Sequence, residues 1–423
     1  MPLIPLRTAS KPKITDAYSR RFHVMAKPGG AKCNIDCQYC FYLHKEELLG
    51  QEKQPVMDEA TLEIFIKSYI ESQDSDEIIF SWQGGEPTLL GLDYFRKVVA
   101  FQKKHQPKGV RIENDLQTNG ILLNTEWCEF LREHNFLVGL SIDGPRELHD
   151  IYRKTRSGKP TFDLVMKGVD KLKQYGVRFN ALVAINRQNV KYPLEVYRFL
   201  TKELGATYIQ FTPVVEANGF RTTAPQFWNE QMIPVKGSEL AKPGHPMSVV
   251  TEWSVDAEEW GKFLIAVFEE WVNNDLGRVL VNLFETAVAQ VMGKPSQLCV
   301  TAEFCGKGLA IEHNGDVFSC DHYVYPEYKL ANIKTYSLSD LALSTRQYSF
   351  GMAKRNSLPT YCLQCPYLSC CWGECPKNRL IKTWDGETGL NYLCSGIKAF
   401  FDYSFPILVG LAEVLKSKEK SNY

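Results

Sequence analysis

The sequence predicts an α/β protein in which a partial, open (β/α)6 barrel is followed by a smaller cysteine-rich domain. Two observations support this fold class. Short runs of β-branched and aromatic residues alternate with amphipathic stretches between Arg21 and Val215, and nine of the thirteen cysteines lie from Cys299 onward. The 423 residues suffice for a catalytic domain of roughly 200 to 250 residues and a second domain of about half that size.

Six strands are predicted in the first half of the chain. The intervening segments Asp58–Ser72 and Phe162–Gln174 carry apolar residues at the spacing of amphipathic helices. Repeated βα units predict a parallel sheet, and six units suit a partial barrel better than a closed eight-stranded one. The site is expected in the loops after the strands, because ligands bind at the carboxyl ends of such strands. The predicted strands are Phe22–Ala26, Glu77–Trp82, Val110–Gln117, Phe136–Ile142, Val177–Ile185 and Thr207–Val215.

The rest of the chain divides by its pattern. Residues 216–251 combine Pro, Gly, Asn and isolated aromatics without a helical or strand period, which indicates a long irregular insertion typical of lids and substrate-binding loops. Val255–Val272 predicts an amphipathic helix that packs on a core, and Ile397–Lys416 predicts a last helix. The predicted boundaries are an N-terminal extension at 1–20, the barrel at 21–250, linker helices at 251–298 and the cysteine-rich domain at 299–423.

Charge and termini argue against several classes of protein. Forty-nine basic residues balance forty-nine acidic ones, so no overall field attracts nucleic acid or an anionic membrane. Met1–Lys13 lacks the apolar core of a secretory signal, and the longest apolar run, Phe405–Leu415, is interrupted by Gly410 and Glu413. We therefore expect a cytoplasmic protein with neither a nucleic-acid nor a membrane partner. In that compartment clustered cysteines favour metal or redox chemistry over disulfides.

The first cysteine group follows the first predicted strand. Cys33, Cys37 and Cys40 are spaced as CxxxCxxC with Tyr39 before the last cysteine. Three thiolates on one loop can hold three irons of a cubane cluster and leave the fourth iron open for another ligand. A Cys3His zinc site that uses the nearby His44 is the alternative.

This motif resembles the signature of the radical S-adenosylmethionine (SAM) superfamily, in which SAM binds the open iron. The run Gly84-Gly85-Glu86-Pro87 after the second strand resembles the family's GGEP motif, and the resemblance implies that it receives the SAM amino group. It further implies that Ser141 and Arg153 hold the ribose and carboxylate of SAM. A surface ion pair is the alternative role for Arg153. By the same resemblance, Tyr39 and Val215 lie against the adenine.

The later cysteines resemble the pattern of the SPASM domain, in which two further four-cysteine clusters are bound. The resemblance implies a total of three [4Fe-4S] clusters, with zinc ribbons as the alternative, because Cys-x2-Cys pairs also serve zinc. Cys370 could replace its neighbour Cys371 as a ligand, although Cys371 gives the family spacing, and Cys128 is expected to be a buried thiol. The implied ligands are Cys299, Cys305, Cys320 and Cys375 for the first auxiliary cluster and Cys362, Cys365, Cys371 and Cys394 for the second.

Among SPASM proteins the sequence is similar to the anaerobic sulfatase-maturating enzymes in the runs Ser81–Pro87 and Ser141–Arg153, in Cys299-x5-Cys305, and in Cys320-Asp321. Members of this family oxidise a cysteine or serine in a Cys/Ser-x-Pro-x-Arg segment of a sulfatase to Cα-formylglycine. The resemblance implies reductive SAM cleavage, abstraction of a Cβ hydrogen by the 5′-deoxyadenosyl radical, and loss of a proton and an electron.

The same resemblance supplies candidate residues for the substrate. Asp321 matches the family's proposed general base, with a carboxylate that only hydrogen-bonds near the cluster as the alternative, and with His322 as a second candidate base. Tyr42 and Gln83 resemble residues that contact the substrate peptide. The implied partners are an unfolded or nascent sulfatase polypeptide and a flavodoxin- or ferredoxin-type reductant.

Two other functions remain open from the sequence. One is a SPASM maturase that forms thioether or carbon–carbon crosslinks in ribosomally made peptides. Such maturases often carry an N-terminal recognition domain of about eighty residues. Only about twenty residues precede the first predicted strand here, which argues against this function. The other is an iron–sulfur electron carrier, which would need neither a six-unit barrel nor a loop with an open iron.

Overall fold

The structure, a computed structural model, describes residues 21–421. The predicted extension at 1–20 lies outside the described residues. All six predicted strands are present, and the predicted α/β class is confirmed. Four further short strands, β7 to β10, were not predicted. The strands are β1 His23–Lys27, β2 Glu77–Trp82, β3 Arg111–Thr118, β4 Leu137–Ser141, β5 Phe179–Ile185, β6 Tyr208–Pro213, β7 Leu280–Val281, β8 Gly308–Glu312, β9 Asp316–Phe318 and β10 Lys329–Asn332.

The helices include those predicted from the periodic segments. Of the helices within residues 21–421, none combines the length and the apolar content that crossing a membrane would require. The helices are α1 Lys45–Leu48, α2 Glu59–Ser72, α3 Leu92–His105, α4 Thr125–Glu133, α5 Arg146–Tyr152, α6 Phe162–Tyr175, α7 Pro193–Arg198, α8 Ala257–Asn274, α9 Asn282–Val291, α10 Leu338–Ala342, α11 Thr345–Asn356, α12 Thr360–Leu363, α13 Leu368–Cys371 and α14 Cys394–Ser421.

The described chain forms two compact units, each built from three segments. The first unit contains the residues up to Leu140, Arg153–Phe179 and Phe304–Ala353. The second contains Ser141–Tyr152, Asn180–Glu303 and the residues from Lys354 onward. Each unit therefore combines part of the predicted barrel with part of the cysteine-rich region.

The sheet of the first unit has the strand order β10-β9-β8-β1-β2-β3-β4. Strands β8, β1, β2, β3 and β4 are parallel, whereas β9 pairs antiparallel with both β8 and β10. The register places Lys27 of β1 beside Glu312 of β8. The turn after Glu312 contains Asn314-Gly315, where Gly315 has a φ of +89° that favours glycine. Through β8, part of the cysteine-rich region thus joins the sheet beside the first cysteine loop.

An aromatic core packs helices α2 and α3 against β2 in the first unit. The Phe65 ring meets Phe80 and Trp82 edge-on at 5.9 Å, and Trp82 meets Phe95 of α3 at 6.0 Å. These four side chains are fully buried, and burial of each contributes about 1.5–3 kcal/mol. Asp58 caps the start of α2 by accepting a hydrogen bond from the Thr61 N–H at 2.7 Å. This packing holds the carboxyl ends of the strands, and the loops that follow them, in fixed positions.

The second unit contains the parallel strands β5-β6-β7 and the long helices α8 and α14. The predicted amphipathic stripe of α8 is buried, which confirms its core-packing role. The beginning of α14 lies directly against α8, since a Cβ atom on Gly396 would lie 1.9 Å from the Ala257 carbonyl oxygen. Only glycine permits this approach, which fixes the position of Cys394 two residues earlier. The buried stripe comprises Trp260, Phe263, Leu264, Val267, Phe268 and Trp271.

Candidate functional site

The first cysteine group lies in the loop between β1 and α1, at the carboxyl end of the first strand. The Cys40 N–H donates to the Cys37 carbonyl at 2.9 Å, which turns this part of the loop back on itself. Burial raises the pKa of the Cys33 thiol to about 12 and also raises the pKa of Cys40. Only thiolates bind iron, so the thiols must lose their protons as the metal binds. Three cysteines on one buried loop fit a cluster that keeps one iron open.

The Gly-Gly loop after β2 packs on this cysteine loop. The Gly85 N–H donates to the Gly30 carbonyl at 2.9 Å, and the Glu86 N–H donates to the Lys32 carbonyl at 2.8 Å. A Cβ atom on Gly85 would lie 2.0 Å from the Lys32 carbonyl oxygen, and Gly84 has a φ of +133°. Side chains at these two positions would push the loops apart. The two glycines therefore hold the GGEP loop on the loop of the first cysteines.

The Glu86 carboxylate joins the ends of β2 and β3. Its Oε1 accepts from the Thr88 N–H at 3.1 Å and from the hydroxyls of Thr88 and Thr118 at 2.6 and 2.7 Å, whereas Oε2 accepts from the Asn119 N–H at 2.8 Å. Burial raises the pKa of this carboxyl. Because a carboxylate has about four lone-pair sites, Oε2 retains capacity for an amino group. The Asn119 amide also donates to the Asn34 side chain at 2.7 Å and so reaches the cysteine loop.

Residues 153–156 contact the cysteine loop from another side. The Arg153 guanidinium lies 5.7 Å from the centroid of the Tyr39 ring. The Asp36 N–H donates to the Lys154 carbonyl at 2.8 Å, and the Arg156 Nε–H donates to the Cys33 carbonyl at 3.2 Å. Arg153 is only 8% exposed, which does not fit its alternative role as a surface ion-pair residue. The structure thus brings two of the predicted SAM contacts together.

Two further predicted SAM contacts, Ser141 and Val215, belong to the second unit. Ser141 ends β4 and is largely buried, and Val215 follows β6 and is fully buried. The Lys377 ammonium donates to the Val215 carbonyl and pairs with the Glu216 carboxylate at 2.7 Å. Lys377 thereby fixes the backbone after β6.

The predicted substrate contacts and the predicted base converge on Lys27, the last residue of β1. The Lys27 ammonium pairs with Oδ1 of Asp321 at 2.6 Å and donates to Oε1 of Gln83 at 3.2 Å. It also lies 4.7 Å from the centroid of the Tyr42 ring. Sequence reasoning missed Lys27, because a lysine at a strand end is ordinary. Residues from four separate segments therefore form one polar group in the first unit.

Burial and neighbouring charges shift the pKa values of Asp321 and Tyr42 in this group. Burial by itself would raise the pKa of Asp321, but the charges of Lys27 and His322, with Lys45 beyond them, outweigh it and lower the pKa. The Tyr42 hydroxyl donates to the buried Glu312 carboxylate, and burial and that negative charge raise the pKa of Tyr42 well above its usual value. Asp321 is thus an ionised acceptor beside a neutral tyrosine.

Three further contacts lie beside this group. Gln51 donates from its amide to Glu312 at 2.9 Å and accepts from the Ala31 N–H at 3.0 Å, which ties Glu312 to the cysteine loop. The His322 ring lies 4.7 Å from the Phe41 ring. The second candidate base therefore packs on an aromatic side chain.

Four cysteines of the second unit line one cavity. They are the predicted ligands Cys362, Cys365, Cys371 and Cys394. Burial raises the pKa of Cys362 to about 12 and that of Cys371 well above its usual value. Cys370 is not among the cavity-lining residues, and the arrangement fits a four-cysteine cluster.

Two buried polar side chains organise the other four predicted ligands, and sequence reasoning missed both. In the second unit, the Lys354 ammonium donates to the Cys299 carbonyl at 2.8 Å. Burial raises the pKa of Cys375, and the charges of Lys377 and Lys354 offset part of that rise. In the first unit, the Gln347 amide donates to the carbonyls of Gly306 and Ser319 at 2.8 and 2.9 Å. Gly306 follows Cys305 and Ser319 precedes Cys320 in the sequence. Gln347 therefore joins the two segments that carry these cysteines.

The predicted insertion at 216–251 contacts residues of the cavity that the four cysteines of the second unit line. The Lys236 N–H donates to the Lys382 carbonyl at 2.8 Å, and the Lys382 N–H donates to the Pro234 carbonyl at 2.8 Å. The Lys236 ammonium donates to the Tyr361 hydroxyl at 3.1 Å. The same ammonium lies 4.7 Å from the centroid of Trp384. Since Tyr361 lines the cavity, the insertion contacts the wall of this cavity in its own unit.

Comparisons with known proteins agree with the two groups of cysteines. A model of the radical SAM superfamily matches residues 28–200, and a model of the SPASM iron–sulfur cluster-binding domain matches residues 299–366. The chain is 43% identical over 402 residues to a serine-type anaerobic sulfatase-maturating enzyme of Bacteroides thetaiotaomicron, covering 95% of this chain and 94% of that relative. It is 30% identical to a cysteine-type anaerobic sulfatase-maturating enzyme of Clostridium perfringens, covering 93% of this chain and 99% of that relative.

The fold has a solved counterpart. The structure of native anSMEcpe with bound AdoMet and Cp18Cys peptide superimposes with a TM-score of 0.78 at 30% sequence identity. The match covers 93% of this chain and 99% of that chain.

Proposed function

The chain belongs to the anaerobic sulfatase-maturating enzymes, radical SAM enzymes that convert a cysteine or serine of a sulfatase to formylglycine, and we propose that serine is its natural target. The higher identity to the serine-type relative, 43% against 30% for the cysteine-type relative, supports this choice. The observation that carries the chemistry is the convergence of Tyr42, Gln83 and Asp321 on one buried ammonium.

The residues that would hold the cofactors are those of the predicted motifs. Cys33, Cys37 and Cys40 would hold the cluster with the open iron, and Gly84, Gly85 and Oε2 of Glu86 would receive the amino group of SAM. Arg153, Ser141, Tyr39 and Val215 would contact the rest of SAM. When bound, SAM and this cluster supply the radical that removes the Cβ hydrogen of the target residue.

The chain's own residues would complete the oxidation. Gln83 and Tyr42 would orient the substrate peptide, and Asp321 would accept the proton of the serine hydroxyl. Its ionised carboxylate, paired with Lys27 at 2.6 Å, is suited to accept a hydrogen bond from that hydroxyl. After loss of the hydrogen atom and the proton, one electron must leave, and the auxiliary clusters would take it. Fully cysteine-ligated clusters suit this task, because they leave no iron open to substrate.

The serine proposal is tested with two short peptides that differ only in the target residue of the Ser/Cys-x-Pro-x-Arg segment. Under anaerobic conditions with SAM and a reductant, the serine peptide is expected to lose the mass of two hydrogens as it becomes formylglycine. The cysteine peptide provides the comparison. Conversion of the cysteine peptide alone would contradict the serine proposal while leaving the family's chemistry intact.

The ligand assignment is tested by the iron content of anaerobically reconstituted protein. The wild type is expected to hold roughly twelve irons per chain, four for each cluster. Cys371→Ala is expected to hold about eight, because one ligand of the second auxiliary cluster is lost. Cys370→Ala is the matched control, since this neighbour does not line the cavity, and it should keep the wild-type content. Bound zinc with one cluster's worth of iron in active protein would overturn the assignment.

Several wider assignments belong to the same proposal. The substrate is a sulfatase polypeptide, unfolded or nascent, and the electron donor is a flavodoxin- or ferredoxin-type protein in the cytoplasm. The functional division would follow the predicted boundaries, with the SAM-binding barrel at 21–250 and the auxiliary clusters at 299–423. The balanced charge of the chain supports an assignment without nucleic acid or membrane.

A further inference from the structure

Lys27 is almost completely buried, and each contact described for its ammonium reaches a residue of the predicted substrate site. It is 2% exposed. A buried ammonium is strongly unfavourable unless it is paired and hydrogen-bonded. Asp321, Gln83 and the face of the Tyr42 ring supply that compensation. The ammonium and these three side chains therefore depend on one another for their positions.

A lysine ammonium carries three donors and no acceptor, and this restricts its neighbours. Gln83 must turn its carbonyl oxygen towards Lys27, as the 3.2 Å contact to Oε1 records. Its amide NH2 then becomes the end that can donate to a peptide carbonyl. The ion pair engages Oδ1 of Asp321, and the other oxygen, Oδ2, is the one that can meet a substrate hydroxyl.

We propose that Lys27 is a positioning residue for the oxidation, which orients Asp321 and Gln83 towards the substrate side chain and the substrate backbone. The inference rests on the proposed role of Asp321 and extends it to a residue outside every motif. Lys27 need not touch the substrate. Its contribution passes through the two side chains that it holds, so its effect should depend on whether Asp321 is present.

The test is a double-mutant cycle with Lys27→Met and Asp321→Asn. Methionine keeps the length of the side chain but removes its charge and its donors. Lys27→Met is expected to lower formylglycine formation on the order of 10²-fold, with most of the loss in kcat, while 5′-deoxyadenosine formation without peptide stays within about twofold of wild type. In the Asp321→Asn background the same change is expected to cost less than about threefold, because interacting residues are not additive.

The controls separate the outcomes. Lys97→Met removes an exposed lysine of the same unit that pairs with Glu59, and product formation should not change. If Lys27→Met loses iron, Lys27→Arg takes its place in the double-mutant cycle. Arginine keeps a cation that has donors but no acceptors, and the losses are again expected to be non-additive with Asp321→Asn. If the losses from Lys27→Met and Asp321→Asn are additive, or if product formation by Lys27→Met is within about threefold of wild type, the inference about Lys27 is overturned and the proposed role of Asp321 is not. A fully active Asp321→Asn enzyme would overturn both assignments.

Discussion

Replacement of Cys33, Cys37 and Cys40 together by alanine is expected to abolish SAM cleavage. These thiols are the only cysteines on the loop between β1 and α1, and the loops of Gly85, Asn119 and Arg156 all pack against that loop. Without thiolates no iron is held at this position, so no open iron remains for SAM. The measurement is the anaerobic yield of 5′-deoxyadenosine with SAM and reductant.

The same variant should keep the auxiliary clusters, because none of their predicted ligands is changed. We expect roughly eight irons per chain, two clusters of four. Cys128→Ala is the matched control: Cys128 is a fully buried thiol of α4 in the same unit, and its loss should leave SAM cleavage intact. Undiminished 5′-deoxyadenosine from the triple variant would place the SAM site elsewhere.

Asp321→Asn is expected to separate radical formation from proton removal. Asparagine keeps the shape of the side chain but removes the charge that pairs with Lys27 and the basicity that accepts the substrate proton. Loss of a general base costs on the order of 10²- to 10⁴-fold in product formation. The first cysteine loop is unchanged, so 5′-deoxyadenosine should still form. Formylglycine and 5′-deoxyadenosine are measured in one reaction by mass spectrometry.

Asp316→Asn provides a closely matched control for this variant. Asp316 also pairs with a lysine, Lys329, at 2.6 Å, and its side chain is 14% exposed, as is that of Asp321. It lies at the beginning of β9, and its described side-chain partners are Asn314, Lys329 and Asn332. Its replacement should preserve formylglycine formation. Near-normal product from Asp321→Asn would remove Asp321 from the mechanism and make His322 or a water molecule the next candidate base.

The sequence by itself determined those features that depend on local spacing. Strand β2 begins and ends where its run of β-branched and aromatic residues predicted it, and the stripe of α8 is buried as its period indicated. The CxxxCxxC loop and the Gly-Gly turn were recognisable because their residues are close in the chain. The choice of Cys371 over Cys370 also came from spacing, and the cavity in the second unit contains Cys371. In each case the physical constraint acts over a few residues.

Only the tertiary structure decided which distant residues meet. Tyr42 donates to Glu312 across 270 residues of chain, and Lys27 pairs with Asp321 at a similar separation, because β8 adds to the sheet beside β1. No local period encodes that pairing, since β8 is five residues long and lies among cysteines whose spacing dominates the pattern. Lys27, Gln347 and Lys354 look like ordinary surface residues in the sequence. Burial, which depends on the whole fold, gives each of them a specific partner.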